Sequence, residues 1–179
     1  MICNQLASCA KGQFEGNEIE RCPNYKVKCI ESSDERSKIK CEERNKKYVL
    51  DNTLKNHVIL YKMDGGIISV DKTVPEGTCK CDYLFVSDGN ERNAILVELK
   101  GTDMIHSLKQ IDETLTLFRP YFSTLSHVYG RGVVTSSIPN IKANPTYVNL
   151  AKKFRRTYHG NLKIFERQYQ EKDVELERL

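Results

Sequence analysis

Apolar residues in this chain fall in short runs of four or five, separated by polar turns. His57-Val58-Ile59-Leu60-Tyr61 and Gly66-Ile67-Ile68-Ser69-Val70 flank Asp64-Gly65, which predicts a β-hairpin. Pro75-Glu76-Gly77 then breaks the chain. A second strand opens at Asp82 and runs through Tyr83-Leu84-Phe85-Val86. After the polar turn at 87–93 the chain returns through Ala94-Ile95-Leu96-Val97-Glu98-Leu99-Lys100. Strand side chains alternate faces, so Glu98 and Lys100 are expected on one side, and Val97 and Leu99 on the other. The thiols of Cys79 and Cys81 are expected on the side opposite Asp82.

Beyond Gly101 the period lengthens. Thr102 or Asp103 can cap a helix reaching about Phe118 and ended by Pro120. Its expected buried stripe is Ile105, Leu108, Ile111, Leu115 and Phe118. Gly132-Val133-Val134-Thr135-Ser136 predicts a buried strand. Tyr147 to Tyr158 predicts a basic amphipathic helix with Leu150 and Phe154 inward, and Leu162 to Phe165 a closing strand. Before this core, Glu31 to Lys47 is expected to be helical, with Ser32 or Ser33 as N-cap and Asp34 and Glu35 in its first turn. Together these elements predict an α/β (α+β) fold, a central mixed sheet flanked by helices. One domain is expected: a cysteine-bearing segment (1–50) packed on a core (51–165), with a charged tail (166–179), helical or frayed.

A length of 179 residues suits a single substantial core. No run approaches a membrane span, and the first residues lack a signal peptide's pattern, so a cytoplasmic location and no membrane partner are expected. Seven cysteines at irregular spacings are expected to be ordinary reduced thiols rather than a disulfide framework or a zinc module. The net charge of +4 is mild, but its distribution is not. Arg131, Lys142, Lys152, Lys153, Arg155, Arg156 and Lys163 occur between 131 and 165 with no Asp or Glu among them. Such a stretch suits phosphates, with Lys152, Lys153, Arg155 and Arg156 as the expected nucleic-acid contacts.

The candidate chemistry lies in the hairpin. Asp82, Glu98 and Lys100 would bring two carboxylates and an ammonium to the edge of a buried sheet. Charge is costly there unless it is paired or binds metal. Oxygen ligands of this kind suit Mg²⁺.

Lys80-Cys81-Asp82-Tyr83 with Val97-Glu98-Leu99-Lys100-Gly101 resembles the PD-(D/E)xK nuclease superfamily, of restriction-endonuclease-like fold, over roughly the middle of the chain. Cys81 stands where the family often has proline. The resemblance implies a metal-dependent nuclease, with DNA expected ahead of RNA as substrate. Asp82, Glu98 and the Leu99 carbonyl would hold Mg²⁺, or Mn²⁺ in its place, and Lys100 would serve the attacking water. It also implies a helper on the following helix, for which Gln110 is the candidate, His106 being rather a surface or capping residue. A further acid on an early helix would come from Glu31, Glu35, Glu42 or Glu43, with the last two preferred. Cutting both strands of a duplex would require a homodimer or two encounters. The alternatives are a catalytically silent module of the same fold that binds nucleic acid or a protein partner, and a structural protein built around the cysteine-bearing segment. No phosphate-cradling Gly-rich loop, Gly-x-Ser-x-Gly or His-Glu-x-x-His pattern points elsewhere.

Overall fold

The structure, a computed structural model, describes residues 2–17, 29–69, 74–75, 77–99, 103–135 and 139–177. In chain order these form α1 (Leu6–Phe14), β1 (Ile30–Asp34), β2 (Lys38–Glu43), β3 (Lys46–Asp51), β4 (His57–Lys62), β5 (Tyr83–Asp88) and β6 (Arg92–Leu99). There follow α2 (Met104–Leu117), α3 (Arg119–Phe122), β7 (His127–Val134), α4 (Pro145–Thr157), β8 (Leu162–Glu166) and β9 (Gln168–Lys172).

Six strands make a central mixed sheet in the order β1-β4-β5-β6-β7-β8, and β2, β3 and β9 make a second sheet. Neighbours from β1 to β6 are antiparallel, while β6–β7 and β7–β8 are parallel. Parallel neighbours require crossovers, and the segments containing α2 and α3, then α4, provide them. One face of the central sheet packs Leu84, Val86, Ala94 and Leu96 against Leu108 and Ile111 of α2 and Phe154 of α4. The other face packs Phe85, Ile95, Val97 and Leu99 against Ile39, Tyr48 and Leu50 of the small sheet. The result is three layers: helices, mixed sheet, small sheet. Among the described residues no helix is long and apolar enough to cross a membrane.

Four local expectations are corrected. Residues 31–47 are not helical but strands. In Lys38–Glu43, Ile39 and Cys41 are buried while Lys38, Lys40 and Glu42 are exposed, a period of two. Arg44 (φ 45°) and Asn45 (φ 66°) form the two-residue loop from β2 to β3, the left-handed pair favoured in tight hairpins. Residues 66–69 form no strand: Ile67 N donates to Lys62 O and Ile68 N to Met63 O, so the chain curls and buries both isoleucines. The expected hairpin partner of β4 is replaced by β1 and β5; Val70 lies outside the described residues. The tail supplies a strand, β9, parallel to β3. The strand expected at 132–136 begins earlier, at His127, and ends at Val134. Helix α2 follows its predicted stripe except that Ile105 is only half-buried and Gln110 is buried.

Gly130 on β7 permits α4 to approach. A Cβ there would stand 2.7 Å from both Phe154 and Leu162. Gly130→Ala is therefore expected to cost about 1–3 kcal/mol, as overpacking does. Urea unfolding would register it as a lower midpoint at unchanged slope.

Candidate functional site

The backbone ladder between β5 and β6 ends at the pair Tyr83–Val97. One step further, Asp82 N donates to Val97 O (3.2 Å). The carboxylate then replaces the missing strand: Asp82 Oδ2 accepts from Leu99 N at 2.6 Å. Asp82 is thereby fixed against the backbone next to Glu98. Glu98 lies in register with Ala94 and Leu96, whose side chains belong to the helix-side core, and is 0 % exposed.

The Cys81 thiol lies within reach of both acids' charges. Burial pushes it well up from the ordinary value, and the charges of Glu98 and then Asp82 push it further. Cys81 belongs to the helix-side core. The reason is the approach of α2: Cys81 N donates to Thr114 Oγ1 (2.9 Å), and Gln110 Nε2 donates to Lys80 O (2.7 Å). Two hydrogen bonds from one face of the helix thus hold the segment that delivers Asp82. Helix α2 itself starts where Asp103 accepts from His106 N (2.9 Å), so Asp103 is the N-cap. His106 does not reach the cleft.

Asp82, Leu99 and Gln110 line one cleft of about 710 Å³. Gln110 is 7 % exposed, and its Oε1 has no hydrogen-bond partner among the described residues. Opposite, the β2–β3 hairpin contributes Glu43, Arg44 and Lys46, the end of β4 contributes Lys62, and the turn after it contributes Asp64. Of the four early acids, only Glu43 lines the cleft, from a strand end instead of a helix. Asp64 is paired with Lys80 (3.2 Å) and Glu43 with Arg44 (3.7 Å). Lys46 and Lys62 escape a motif-led reading. Their signals are a lysine just after the turn at Asn45 and one closing the apolar run Val58–Tyr61. Lys100, Gly101 and Thr102 lie outside the described residues.

The other predicted contacts do not line this cleft. Lys152, Arg155 and Arg156 are exposed on α4, and Lys153 pairs with Asp112 of α2 at 2.5 Å. Arg131, counted among the basic residues, is unavailable to phosphate: it is fully buried on Glu171. At the far end of β6, Glu91, His127 and Glu177 bring candidate metal-ligand atoms within 4.8 Å of one another. His127 Nδ1 lies 2.7 Å from His159 O, and Nε2 lies 2.9 Å from Glu91 Oε2.

Compared with protein-family models, with curated proteins and with solved structures, the chain finds no match in any of the three.

Proposed function

We propose that the protein is a metal-dependent nuclease that hydrolyses phosphodiester bonds at the cleft formed by Asp82, Leu99 and Gln110, on a restriction-endonuclease-like fold. The observation that carries this reading is the 2.6 Å bond from Leu99 N to Asp82 Oδ2, which ties Asp82 to the Glu98-Leu99 end of β6. An antiparallel hairpin with acids at its end, followed by a helix packed on the same strand, is the context the resemblance requires.

The residues present fit Mg²⁺. The donors are oxygens of Asp82, Glu98 and the Leu99 carbonyl, the hard ligands this ion takes. Gln110 Oε1, buried at the cleft with no partner among the described residues, adds another polar oxygen. Held there, Mg²⁺ would supply Lewis-acid polarisation of the phosphodiester and a more acidic water. The chain's own residues do the rest. Leu99 N–H holds the Asp82 carboxylate in one orientation, and Gln110 fixes the backbone that leads into it. Glu98 is wholly buried at the same end of β6, and its carboxylate would be a further ligand for the cation. Lys100, one residue beyond Leu99, takes the role of orienting the water and balancing charge at phosphorus.

The test is incubation of supercoiled plasmid, single-stranded DNA and RNA with Mg²⁺, Mn²⁺ or EDTA, with Glu98→Ala in parallel. Cutting that needs metal and vanishes in the variant is the expected result. Folded wild type that cuts none of the three would leave a binding module in place of an enzyme.

A further inference from the structure

Two lysines of the cleft have no part in the metal chemistry. Lys46 is 6 % exposed, yet it lines the cleft, and among the described residues its ammonium donates only to Arg44 O, at 3.3 Å. An ammonium carries three donors, and removing it from water without an anion is costly. Lys62, on the neighbouring strand β4, also lines the cleft and is exposed. Neither lysine has a carboxylate partner among the described residues, although Asp64 and Glu43 in the same wall are each paired elsewhere. On this wall, facing Asp82, the two cations not matched to Glu43 or Asp64 are therefore these two side chains.

We propose that Lys46 and Lys62 form a phosphate clamp that seats the backbone of a nucleic acid across the cleft, with Lys46 as the buried anchor and Lys62 as the exposed contact. This rests on the nuclease reading for what happens next, but not for the binding itself. The clamp is built from two directions: β3 carries Lys46 just past the tight Arg44-Asn45 turn, and β4 carries Lys62 at its last position. Lysine acts on phosphate as a point charge without reading bases, so the clamp would bind without sequence preference. It assigns the first grip on substrate to the small sheet and β4, on the wall facing Asp82, rather than to the basic face of α4.

The experiment is fluorescence anisotropy with labelled 30-mer single-stranded DNA, duplex DNA and single-stranded RNA, in EDTA, over a range of salt. Lys46→Gln and Lys62→Gln are each expected to weaken binding about tenfold and to reduce the salt slope by roughly 0.7–0.9. Lys152→Gln with Arg155→Gln is expected to change it less. Lys62 is exposed, so its variant reports even if Lys46→Gln unfolds. The three probes distinguish DNA from RNA as the source of the phosphates. Unchanged affinity and slope in Lys62→Gln and in folded Lys46→Gln, or no binding by wild type, would overturn the clamp. Weakened binding with no cleavage by wild type keeps the clamp and removes the hydrolytic reading. Cleavage at unchanged KM in both lysine variants does the reverse.

Discussion

Asp82→Asn is expected to fold normally and to cut nucleic acid about 10³-fold more slowly than wild type, ~4 kcal/mol at the transition state. The substitution isolates charge from architecture. An asparagine Oδ1 can still accept from Leu99 N, so the side chain can go on closing the ladder between β5 and β6. What it cannot do is supply a negative ligand. Thermal unfolding should therefore shift by no more than about 1 kcal/mol, the scale of one hydrogen bond. Calorimetric titration with Mn²⁺ should show the loss of a binding event that His127→Ala retains. That comparison assigns the metal to the cleft and not to the cluster of Glu91, His127 and Glu177 at the other end of β6. Lys100→Ala should bind metal as wild type does and lose rate in the chemical step, which single-turnover kinetics would resolve. Wild-type cutting by Asp82→Asn would end the assignment of this carboxylate.

The hairpin was legible because its two strands are continuous apolar runs joined by seven polar residues, and because Asp82 and Glu98 sit at matching distances from that turn. The fold adds what alternation alone did not supply: Asp82 lies one step beyond the last backbone pair and acts through its carboxylate. Helix α2 was legible from its stripe, but the burial of Gln110 was not, since an amide at a helix surface position gives no sign that Lys80 O will meet it. Residues 31–47 misled for a different reason. Their acids and lysines resemble a solvated helix, and the burial of Ile39 and Cys41 depends on a second sheet whose third strand comes from residues 168–172. No local window contains that partner. Similarly, Arg131 reads as one more cation in a basic stretch, and only β9 reveals its counter-ion.

That counter-ion gives the largest expected effect on stability. Glu171→Ala should lower the unfolding free energy by about 3–5 kcal/mol, because it leaves the Arg131 guanidinium buried without its carboxylate. Arg131 Nε donates to Glu171 Oε1 at 2.5 Å and Nη2 to Oε2 at 3.2 Å, while Nη1 donates to Asn161 Oδ1 at 2.8 Å. Tyr48 OH also donates to Glu171 Oε1, at 2.8 Å, so one carboxylate joins β7 of the central sheet to β3 and β9 of the small sheet. Replacing both ions, as Arg131→Met with Glu171→Leu, should recover part of the loss, since no charge is then stranded. The remainder reports on Tyr48 and Asn161, which each lose a partner. Urea unfolding of the two variants and wild type measures all of this, and an unchanged midpoint in Glu171→Ala would refute it. The consequence reaches the cleft. Strand β3, which β9 flanks, begins at Lys46, and the hairpin it forms with β2 carries Glu43 and Arg44 opposite Asp82. A variant that loosens this lock without unfolding the protein should therefore weaken nucleic-acid binding, although Glu171 touches no part of the cleft.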